Sequence, residues 1–121
     1  MIPERLMITI NNWPELKSAI KTHPAREILS AHADRLEEFD DQPLSDLCEI
    51  VLIERTDTLT DLATKLGRAL HPPPWEYVDL TDGWYELVLV TGDDGFGYVV
   101  LLEDRSRGNQ ALLDYCRALA S

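Results

Sequence analysis

Apolar positions recur at helical spacing through most of the first 70 residues, and strand-like runs take over from residue 75. Ile28, Leu29, His32, Leu36 and Phe39 share one stripe, with Arg26, Glu27, Arg35, Glu37 and Glu38 mostly off it, which predicts an amphipathic helix from Pro24 to about Asp40. Upstream, residues 6–10 read as a short strand or the lead into a helix. Asn12 then stands as N-cap before Trp13, Pro14 and Glu15, so a short helix runs to about Lys21 until His23 and Pro24 break it. After a loop at 40–43, residues 47–54 are rich in β-branched side chains and apolar in the middle, as in a buried strand. Asp57 or Thr58 caps a further helix with Leu59, Leu62, Ala63, Leu66, Ala69 and Leu70 on one face. His71-Pro72-Pro73-Pro74 stops it by removing backbone donors.

Strands are expected at 75–80, 84–91 and 96–103, joined by turns at Thr81-Asp82-Gly83 and Gly92-Asp93-Asp94-Gly95. Asp-Gly tolerates the positive φ of tight hairpins, so the three form an antiparallel meander. A last helix carries Leu112, Tyr115, Cys116 and Leu119 on one stripe. The resulting fold class is α+β: one domain over residues 1–121, an antiparallel sheet built on the C-terminal meander, the 47–54 strand joined to it, and helices packed against it. The runs 50–53, 87–90 and 99–102 are apolar on both alternating faces, so both sheet faces need cover, from helices alone or from helices and a second subunit.

Charge narrows the picture. Of 121 residues 22 are Asp or Glu and 11 are Lys or Arg, for a net charge of −11. Residues 75–104 hold Glu76, Asp79, Asp82, Glu86, Asp93, Asp94, Glu103 and Asp104, six of the nine aromatic rings, and no Lys, Arg or His. A surface of one sign attracts cationic partners and repels phosphates, which argues against direct binding to nucleic acid or an anionic membrane. Residues 1–5 lack a basic n-region leading into an apolar core, and no stretch approaches eighteen apolar residues, so neither secretion nor membrane insertion is expected. Cys48 and Cys116 lie far apart on apolar patterns and read as buried reduced thiols, consistent with the cytoplasm.

Catalytic and metal signatures are missing from the chain. Residues 92–97 are Gly-rich, but they join two strands and place aspartates where a phosphate would sit. Asp93 and Asp94, with Asp82 or Glu103, lack the spacing of a Ca²⁺ loop. His23, His32 and His71 show no zinc pattern and suit helix-flanking and core-edge positions. No metal or cofactor is expected. Among the carboxylates, Glu76 and Glu86 beside Trp75, Trp84 and Tyr85 are the best placed for a raised pKa.

Residues 53–67 are similar to the opening half of a LysM glycan-binding module. Thr56 replaces that module's Gly, and the prolines and the meander replace its second half, so a capped strand-to-helix turn is the reading taken. Over a longer span, Leu44-Ser45-Asp46-Leu47, Pro74-Trp75-Glu76, Gly83-Trp84-Tyr85-Glu86-Leu87-Val88 and Asp93-Asp94-Gly95-Phe96-Gly97 resemble small bacterial proteins, some of plasmid or phage origin. The resemblance implies a cytoplasmic bacterial setting and carries over no activity.

The expectation is therefore a non-enzymatic interaction protein, a regulator or inhibitor, that binds a basic protein surface through Trp75, Glu76, Tyr77, Asp79, Asp82, Trp84, Glu86, Asp93 and Asp94. The alternative is a small-ligand-binding protein or hydrolase using Glu76 and Glu86 in an aromatic-lined pocket. Nucleic-acid mimicry would need Asp34, Glu37, Glu38, Asp40 and Asp41 to extend the acidic face. A homodimer through Trp75, Tyr77, Trp84 and Tyr98 would hide apolar surface.

Overall fold

A computed structural model of the chain describes residues 7–53, 59–91, 96–105 and 110–120. The described elements are β1 (Met7–Ile10), α1 (Trp13–Thr22), α2 (Arg26–Leu36) with a 3-10 turn at Glu37–Phe39, a helical turn α3 (Leu44–Leu47), β2 (Cys48–Ile53), α4 (Leu59–Leu66), β3 (Tyr77–Thr81), β4 (Trp84–Thr91), β5 (Phe96–Glu103) and α5 (Gln110–Ala120). The fold is α+β with a five-stranded mixed sheet in the order β1-β2-β5-β4-β3. The meander β3-β4-β5 is antiparallel, with β3 and β4 joined by a two-residue turn. The N-terminal half supplies the remaining strands: β2 lies parallel to β5, and β1 pairs antiparallel with β2.

Helix starts and stops follow local chemistry. Asn12 Oδ1 accepts the Glu15 amide at 2.9 Å, which satisfies one of the donors that a helix N-terminus leaves free. The β3-β4 turn puts Asp82 at φ 52° and Gly83 at φ 82°, the left-handed region that the Asp-Gly pair tolerates. The second turn, at 92–95, and the caps at 57 and 58 lie outside the described residues.

Both sheet faces are covered by this chain's own helices. On one face α4 and α5 bury Leu62, Leu66, Leu112, Leu113 and Cys116 against Val51, Leu87, Val100 and Leu102. On the other, α1, α2 and α3 bury Leu16, Ile28, Leu29 and Leu44 against Ile50, Val99 and Leu101. This explains the apolar runs without alternation: β2, β4 and β5 contribute successive side chains to two different cores. The sheet needs no second subunit to cover either face. Among the described residues no helix is long and apolar enough to cross a membrane.

Candidate functional site

Glu86 interrupts the apolar run of β4, on the face that carries Trp84 and Val88 toward α2. A carboxylate at such a position needs partners, and α2 brings them. His32 is only 5% exposed, one turn before the helix end, and its Nε2 lies 2.5 Å from Glu86 Oε2. The Arg35 guanidinium, which has only donors, donates to His32 Nδ1 at 2.6 Å. This contact assigns the imidazole hydrogen to Nε2, which donates it to Glu86. From the sheet edge, Tyr77 Oη donates to Glu86 Oε1 at 3.2 Å. The four side chains tie α2 to β3 and β4.

Their electrostatics reverse the expectation for Glu86. Its pKa is lowered, because the His32 hydrogen bond comes first among its influences and outweighs burial, and the Tyr77 hydroxyl and the nearby Arg35 charge act in the same direction. Tyr77 moves the other way: burial, then the Glu86 charge, pushes its phenol up. Arg35 occupies His32 Nδ1, so the arrangement pins α2 to the sheet. Among the described residues no group of three or more His, Cys, Asp or Glu side chains could hold a metal ion.

Three hollows lie along α2, two of them lined by residues of the pin. One, of about 280 Å³, lies between the start of α2 and the β3-β4 turn, lined by Glu27, Ile28, Ala31, Thr81, Asp82 and Glu86. A neighbouring hollow of about 330 Å³ shares Glu27, Ile28 and Asp82 and adds Arg26 and Trp84. The third, of about 420 Å³, has an apolar floor that includes Cys48, Val88, Val90 and Val99, with Arg35, Glu76 and Tyr77 at its edge. Gly97 lines this floor, so no side chain fills that position.

The sequence-derived site is therefore divided. Tyr77, Asp79, Asp82 and Glu86 come together on the α2 side of β3 and β4, with Asp79 directly opposite Glu86 in the ladder. Glu76 lines a different hollow from Glu86. The tryptophans lie on opposite faces. Trp75 packs against the α4-α5 core and donates through Nε1 to Tyr115 Oη at 2.8 Å; Trp84 packs against the α1-α2 core, its ring 5.5 Å from that of His23. Tyr98 is half-buried as well, and among these rings only Tyr77 is exposed. The physical reason is that strands covered on both faces turn most of their rings inward. Asp93 and Asp94 lie outside the described residues.

Of the carboxylates considered for mimicry, Asp34, Glu37 and Asp40 line a groove against α1 with Trp13 and Lys17. Glu27 faces the β3-β4 turn instead, so the acidic residues of α2 divide between two of its sides. Sequence reading missed the roles of His32 and Arg35. A polar Glu86 inside an otherwise apolar strand, and a His and an Arg one helical turn apart, were the available signals. No family model matches the chain, nor does any curated protein or solved structure.

Proposed function

We propose that this chain is a non-enzymatic binding protein whose acidic hollow between α2 and the β3-β4 turn receives a cationic side chain of a basic protein, and that it acts as a regulator or inhibitor in the bacterial cytoplasm. The observation that carries this reading is the lining of that hollow: Glu27 and Asp82 stand beside Glu86, whose carboxylate His32 and Tyr77 already hold, while Ile28 and Ala31 give an apolar wall. A Lys or Arg fits such a site because its methylene stem packs on the wall while its charged head meets the carboxylates. The net charge of −11 draws a basic partner from a distance.

Capture from a bacterial lysate at low salt, followed by kinetics with the purified partner, tests this. The screening length falls from about 10 Å at 0.1 M to about 3 Å at 1 M salt, so association slows strongly across that range. Asp82→Asn, which keeps a residue tolerant of positive φ while removing one charge, weakens binding. No captured protein, or a partner indifferent to both salt and Asp82→Asn, would sink the reading.

A further inference from the structure

The two edges of the sheet differ. At the β1 edge Ile8 and Thr9 are half-buried and Ile10 is buried. At the β3 edge Tyr77, Asp79, Leu80 and Thr81 are all exposed, Leu80 at 50%, and only Val78 is half-buried. A strand at the end of a sheet leaves one row of backbone N–H and C=O groups unpaired by its neighbours, a template for another chain unless it is covered or blunted. β3 contains no Pro, Lys or Arg, and Asp79 is its single charge.

We infer that β3 is a docking strand that takes an extended basic segment of the partner protein by strand addition. This rests on the acidic-face reading above and specifies how the partner is held. Charge selects the occupant. Asp79 is the middle residue of Tyr77–Thr81, so two copies paired antiparallel in full register would set Asp79 opposite Asp79, a destabilising contact between chains of net charge −11. A segment with Lys or Arg at the place facing Asp79 removes that penalty. The same face holds Tyr77 and Thr81, the other Val78 and Leu80, because side chains alternate along a strand. The segment that fits therefore alternates cationic with apolar residues, its cations toward Asp79 and its apolar side chains over Leu80. Five residues of strand span about 17 Å, so roughly that length of partner is engaged. Main-chain hydrogen bonds hold the segment and side-chain placement selects it.

The experiment uses a short end-capped peptide that alternates Lys with Val, and its counterpart N-methylated along the backbone, which keeps every charge and removes the N–H donors. Backbone NMR of the whole chain at low salt follows both titrations. Strand addition gives amide shifts and slowed exchange at Tyr77–Thr81 with the first peptide, an affinity loss of about tenfold or more on methylation, as a hydrogen bond or two is lost, and a similar loss with Asp79→Asn. Equal binding of the two peptides, or shifts confined to Glu27 and Asp82, overturns the docking strand and leaves the acidic hollow standing. Binding by neither peptide overturns the docking strand, while the acidic hollow is decided by the capture experiment. A dimer of the chain alone in sedimentation, with Tyr77–Thr81 protected, gives the edge to a second copy and also overturns the inference.

Discussion

Glu86 and His32, 54 residues apart in sequence, meet at 2.5 Å between β4 and α2, with the carboxylate 12% and the imidazole 5% exposed. Removing one member leaves the other with an unpaired polar group in a half-dry setting. Glu86→Ala is expected to cost about 2–3 kcal/mol, the range for a hydrogen bond to a charged group whose partner is then orphaned. His32→Ala costs a comparable amount, and the double variant costs less than the sum of the two, with a coupling of about 1–3 kcal/mol. Urea unfolding of the four proteins measures it. Additive losses would mean that the pin contributes only packing.

The direction of the Glu86 shift fixes a dependence on acid. The carboxyl sits below its ordinary value of 4.5, chiefly because His32 and Tyr77 donate to its ionised form. The unfolded chain therefore takes up this proton at a higher pH than the folded one. The contribution of Glu86 is intact above the unfolded value and is lost as pH falls through the lowered folded value. Stability measured from pH 7 downward declines in that window, and Glu86→Gln declines less steeply there. At the other extreme Tyr77 is raised above 10, so its share is present below that value and is lost as pH rises through the folded value. Wild type and Tyr77→Phe compared by alkaline urea unfolding separate that share.

Much of this fold was legible in the sequence because the signals were local. Asn12 capping α1, Asp82-Gly83 in a hairpin turn, and the apolar runs of β4 and β5 each depend on residues within one element or one turn. The helix expected from Pro24 to Asp40 is α2 to Leu36 and then a tighter turn at Glu37–Phe39, and the strand expected at 47–54 starts after the helical turn Leu44–Leu47. What was not legible depends on contacts distant in sequence. That β2 inserts parallel beside β5, and that Trp75 and Trp84 end on opposite faces, follow from how the helices distribute over the sheet. The site shows the same division: the acidic residues could be counted, but the pairing of Glu86 with His32 could not be read from either segment alone.

Both thiols are free and buried, and both are expected to be inert in the folded protein. Burial pushes Cys116 up to about 12, and burial together with the smaller repulsion of Glu49 pushes Cys48 up to about 11 against the nearby Arg35 charge. The reactive species is the thiolate, and at pH 8 neither residue supplies it in useful amount. A colourless disulfide reagent that releases a chromophore on exchange should therefore react with neither cysteine in native protein and with both once denaturant is added. Rapid release from the native chain would place at least one of the two outside the core.

Trp75, Tyr115 and the carbonyl of Leu70 form a relay on the face away from the acidic hollow. Trp75 Nε1 donates to Tyr115 Oη at 2.8 Å, and that hydroxyl donates to Leu70 O at 2.8 Å, so one oxygen serves both as acceptor and as donor. It holds the segment after α4 and the approach to β3 against α5. Tyr115 is 7% exposed and its ring also meets that of His71 edge-on. Tyr115→Phe keeps the ring and its packing but orphans the indole N–H and the Leu70 carbonyl together, which is expected to cost about 1–3 kcal/mol. Urea unfolding followed by circular dichroism measures the loss, and the emission of Trp75 reports the lost acceptor in the native state. A change below about 0.5 kcal/mol, the range of ordinary surface substitutions, would mean that water replaces the hydroxyl at both partners and that α5 is held by its apolar stripe alone.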